Sequence, residues 1–176
     1  QGATRAAQVA GLRPLESFPD FQRIYESNRI FPLFRNRVLE SSRPDFQDYL
    51  HQLDLEPGKA DPIAILAVSG GTRKTDNLEV FPKIERQPDG QFCCRFFLHG
   101  NHHVSAAGQR ALGSLRSGDK LQIGLELNNP ATRLALQIQT HDYHMIGWTP
   151  RYLNKKNKKA IDDSPEAVTV QIVKVN

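Results

Sequence analysis

Between Leu121 and Leu127 the apolar residues Leu121, Ile123, Leu125 and Leu127 alternate with Gln122, Gly124 and Glu126. A period of two puts all four apolar side chains on one side of an extended chain, so the pattern predicts a strand with one buried face. Asn128-Asn129-Pro130 interrupts it. Leu134, Leu136 and Ile138 then alternate with Ala135, Gln137 and Gln139, which predicts a second strand. A short apolar piece, Met145-Ile146-Gly147-Trp148, follows and ends at Thr149-Pro150. Thr149 as a cap with Pro150 at the first position predicts a short helix from there.

The rest of the chain falls into place around this core. Residues 1–17 show no periodicity and are read as a mobile arm. Apolar spacings of three and four predict helices over 18–25, 32–39 and 45–53, the last with a stripe of Phe46, Tyr49, Leu50 and Leu53. Asp61-Pro62 opens a further apolar run that stops at Gly70-Gly71. Strands are predicted over 78–82 and 92–98, with a turn at Gln87-Pro88-Asp89-Gly90 between them. A helix capped by Ser105 runs to Leu115, and a closing strand covers 168–173. Asp162-Asp163 is expected to break the helix of the lysine-rich run before it. The sum is an α+β chain with an arm (1–17), a helical subdomain (18–76) and a small antiparallel β-barrel domain (77–176), the helices packed on the sheet.

One ordered set of residues goes further. Gly118-Asp119, Asn129-Pro130, Ala135-Leu136 and Ile146-Gly147-Trp148-Thr149-Pro150-Arg151 occur in that order. The order resembles the HIRAN family, small β-rich domains of some Swi/Snf-type helicases and of bacterial proteins. The resemblance covers residues 92 to 175 and implies a partly open, OB-like barrel. It also implies binding to single-stranded DNA or DNA ends, since members of the family hold a free 3′ end. Carried over residue by residue, it implies that His102 and His103 flank the ligand after Gly100. Asn129 takes the polar place in the strand break, and Trp148 and Arg151 contact base and phosphate. Ala131 and Thr132 stand where the family has an aromatic residue and Asp, so general single-strand binding carries over better than 3′-end reading.

Charge agrees with an anionic partner. The net charge of +4 divides as +1 over residues 1–50, −2 over 51–90 and +5 over 91–176. Much of the excess sits in Arg151-Tyr152-Leu153-Asn154-Lys155-Lys156-Asn157-Lys158-Lys159, which adds Tyr152, Lys155 and Lys156 to the nucleic-acid-binding set. Other chemistry finds little footing. Gly70-Gly71-Thr72-Arg73-Lys74-Thr75 lacks the glycine spacing of a phosphate loop and reads as a basic turn. His99-x-x-His102 and His141-x-x-His144 have metal-like spacing but fall in loops without cysteine pairs, so no metal is assigned. No nucleophile with a base and no paired carboxylates appear, so neither an enzyme nor a cofactor is expected. Cys93 and Cys94 are adjacent, which argues against a bridge between them and for a cytoplasmic setting. No apolar run approaches the roughly 18 residues of a membrane span. The expectation is therefore a DNA-binding accessory module of repair or defence. The alternative is a protein-interaction module binding a peptide, or a partner protein through the N-terminal helices.

Overall fold

The computed structural model describes residues 8–76 and 78–175; the first seven residues of the predicted arm lie outside the described residues. By its internal contacts the chain divides into two compact units, with the boundary after Pro82.

The first unit is helical: α1 (Pro32–Arg35), α2 (Phe46–Leu53) and α3 (Pro62–Ser69). α3 begins as the sequence predicts, because Asp61 Oδ1 accepts from the backbone N–H groups of Ile63 and Ala64, both at 2.8 Å. It ends at Gly70, whose φ of 72° suits a residue without Cβ. Leu50, Leu53 and Ile65 form a buried cluster, with Phe46, Tyr49 and Val68 packed around it. Each such side chain contributes about 1.5–3 kcal/mol by leaving water.

Residues 18–25 correct the helix expected there, because turns take its place. The Asp20 carboxylate accepts from Gln22 N–H, a local bond that competes with helix. The Phe18 ring meets Tyr25 and Phe31 edge-on, with centroids 5.1 and 5.0 Å away. A spacing of three and four residues here gathers an aromatic cluster instead of a helical stripe. The helix expected over 32–39 likewise stops at Arg35.

Arg37 explains why residues 78–82 form no strand. Its side chain is only 3% exposed and reaches Gly71 O at 2.9 Å and the Asp76 carboxylate at 2.5 Å. Val80 N–H donates to Gly70 O at 2.8 Å, so this backbone is tied to the end of α3.

The second unit holds α4 (Ala106–Leu112), β1 (Lys120–Asn129), β2 (Arg133–Gln139), β3 (Met145–Trp148), α5 (Asn154–Asp163) and β4 (Val170–Gln171). The four strands form one antiparallel sheet in the order β3-β2-β1-β4. Leu125 stands opposite Leu136 and Ile123 opposite Ile138, so the two apolar sets share a face as the alternation requires. Leu136, Ile138, Ile146 and Leu153 are buried at its centre. The opposite face carries Gln122, Gly124, Glu126, Gln137, Gln139 and Trp148. α4 lies close on β3: a Cβ at Gly108 would stand 2.2 Å from Met145 O, which explains a glycine inside this helix.

Among the described residues the sheet is open. Two strands expected in it are missing, and the closing strand is shortened to two residues. Residues 91–98 do alternate between exposed and half-buried, yet they join no ladder. Side-chain alternation reports which face is covered, not whether the backbone finds a partner. Among the described residues the backbone of this run bridges to a strand only at its end, where His99 pairs with Trp148.

Candidate nucleic-acid interface

β3 carries Trp148 to the sheet's polar face, opposite Gln137 on β2. Its indole N–H donates to Glu126 Oε2 on β1 at 2.7 Å. The same oxygen accepts from Asn129 Nδ2 at 3.1 Å, and the nearby Gln137 side chain adds a smaller stabilising influence on the carboxylate. These donors favour the charged form, and the Glu126 carboxyl is held below the usual glutamate range, the Trp148 bond contributing most. Asn129 Oδ1 meanwhile accepts from Ala131 N–H, Thr132 N–H and Thr132 Oγ1, each at 3.0 Å. Asn129 therefore shapes the β1–β2 turn and links it to the carboxylate that fixes Trp148.

One side of the indole is covered by backbone. His99 and Trp148 exchange both N–H···O bonds at 2.9 Å. Gly100 follows with a φ of 64°, and a Cβ on it would come within 2.6 Å of Trp148 Cε3. Only glycine fits both the left-handed backbone and the close approach. The next turn bears His102 and His103, both exposed, with ring centroids 4.0 Å apart. Gln109 Nε2 on α4 bonds Asn101 O and ties this turn down. The structure thus brings together the histidine loop, Trp148 and Asn129, three parts the sequence separates widely.

Downstream of Trp148 the expected cap is different. Thr149 is buried and donates through Oγ1 to Asn154 Oδ1 at 3.2 Å, while Asn154 Nδ2 donates to Leu134 O at 2.8 Å. This pair anchors the start of α5 on β2. Arg151, Lys155 and Lys156 are exposed and Tyr152 is half-buried. Lys156 Nζ reaches Ile84 O. Asp162 and Asp163 do not break the helix: they lie in its last turn and pair with Lys158 and Lys159 at 2.5 and 2.9 Å. Half of the four-lysine run is thereby ion-paired; among the described residues Lys155 and Lys156, nearer Trp148 in the chain, have no acidic partner within salt-bridge distance.

At the other end of β3 lies an open groove of about 560 Å³, lined by Arg110, Lys120, His141 and His144 together with Asp119 and Asp142. Among the described residues no three His, Cys, Asp or Glu side chains converge as a metal site would require. Cys93 and Cys94 are both free, and burial pushes the Cys94 thiol up. No helix among the described residues is long and apolar enough to cross a membrane.

Glu126 and Gln137 were missed by sequence reasoning. The alternation does assign Glu126 to the face away from the core, but a single strand carries no sign of which indole that face meets. Compared with protein-family models, with curated proteins and with solved structures, the chain gives no match.

Proposed function

We propose that the second unit is a HIRAN-like, OB-related module that binds single-stranded DNA or exposed DNA ends without catalysis, as an accessory to repair or defence. One observation carries this: a single indole, fixed by Glu126 and backed by Gly100, stands at the edge of a polar sheet face beside an exposed histidine pair. Unpaired bases stack on such fixed aromatic faces, and that contact is worth about 1–3 kcal/mol per base. The exposed Arg151 and Lys155, three and seven residues beyond Trp148, supply cations for phosphate. The bridge between His99 and Trp148 brings the end of the 91–98 run to the outer edge of β3, the edge at which a barrel would add a strand.

The test is fluorescence anisotropy with short single-stranded DNA carrying free or blocked 3′ ends, against duplex and RNA. Single-strand binding that weakens steeply with salt is the expected result. No binding to any of these at low salt would move the assignment to a peptide-binding module. Leu125 and Leu127, 43% and 66% exposed on β1, would then supply its apolar contacts.

A further inference from the structure

Glu126 is an unusual group to find at a nucleic-acid surface, because a carboxylate repels phosphate. It is built in firmly: Trp148 and Asn129 both donate to Oε2. A carboxylate offers roughly four acceptor positions and no donor. Both bonds go to Oε2, which leaves Oε1 for a ligand. The bond to the indole N–H puts the carboxylate at the edge of the Trp148 ring, where the edge of a base stacked on that ring would lie. Gly124, next along the same face of β1, has no side chain of its own, and the Gln139 amide lies over it, 3.1 Å from where a Cβ would stand. The neighbouring amides belong to Gln137 and Gln139, which bond each other at 3.2 Å.

We infer that Glu126 reads the base stacked on Trp148 by accepting from the N4 amino group of cytosine, so that the site selects cytosine over thymine. The inference rests on the single-strand reading above. Cytosine and thymine have the same ring size and differ at C4, at N3 and in the thymine methyl, and an acceptor placed against C4 reads the first of these. Cytosine presents an N–H donor there and thymine a carbonyl oxygen, which an acceptor-only group rejects. The negative charge also turns phosphates away from the sheet face. The backbone is thereby directed outward, and the base edge inward.

Labelled dC and dT 12-mers, titrated at pH 7.5, test this directly. Wild-type protein binds dC about tenfold more tightly than dT, the scale of one good base-edge contact. Glu126→Gln keeps an acceptor for the indole but offers an amide donor, so the ratio falls to one or reverses. A ligand-side change makes the test independent of folding: a 12-mer of N4,N4-dimethylcytosine, which has no N–H at that position, loses the advantage on wild-type protein. Equal binding of dC and dT, or a preference that survives both changes, overturns the role of Glu126 while leaving single-strand binding intact. Failure to bind either oligomer overturns the single-strand reading and the cytosine preference together.

Discussion

Glu126 and Trp148, twenty-two residues apart on β1 and β3, are joined by a 2.7 Å hydrogen bond that spans the intervening strand β2. The bond sets the plane of the only tryptophan in the chain and fixes the charge beside it. Most of the site's behaviour follows from this link.

The first consequence is a pH dependence readable by fluorescence. Hydrogen bonds to the carboxylate lower the folded-state pKa of Glu126 below its ordinary value. Its contribution to stability is therefore complete above the ordinary glutamate range, about 4.3, and is lost as pH falls through the lowered value. Emission from Trp148 should stay constant at neutral pH and change with a midpoint below that of an ordinary glutamate. Glu126→Gln should remove the transition. A midpoint above the ordinary range would contradict the bonding described.

Gly108→Ala tests the contact between α4 and β3. Alanine favours helix by up to about 1 kcal/mol over glycine, yet its Cβ would lie 2.2 Å from Met145 O, a backbone atom with little room to move. The clash wins, and urea denaturation should show a net loss of about 1–3 kcal/mol. A stabilised variant would mean that α4 does not sit so close to β3.

Asp61→Ala tests the first unit on its own. Loss of the two cap bonds at the start of α3 should cost about 1 kcal/mol in denaturation, and Asp61→Asn should recover most of it.

Salt dependence distinguishes the lysines. For single strands, each phosphate contact removed lowers the slope of log K against log salt by about 0.7. Arg151→Ala and Lys155→Ala should each flatten the slope by that amount. Lys158→Ala, which removes a cation already paired with Asp162, should leave it nearly unchanged. Equal effects at all three positions would indicate diffuse attraction instead of an oriented interface.

Local signals made part of this legible in the chain. The β1–β2 pairing follows from alternation, and α3 from Asp61, Pro62 and Gly70, because each depends on neighbours within a few residues. Phe18 and Tyr25 misled because aromatic side chains at helical spacing also gather around a turn. Phe92 to Leu98 misled because burial on alternate sides needs no backbone ladder. Trp148 and Asn129 could be singled out in sequence, but what connects them could not. Glu126 joins them across three strands, and that depends on register, which the bulge between Glu126 and Asn129 shifts.

The central claim is single-strand binding at Trp148, and the most direct measurement is anisotropy of a labelled single-stranded 12-mer titrated with wild type and with Trp148→Ala and Arg151→Ala, each first shown to be folded by circular dichroism. The account predicts binding at low salt that weakens steeply as salt rises, with loss of at least several-fold affinity in both variants. Absence of wild-type binding at low salt, or binding that neither substitution changes, would contradict it.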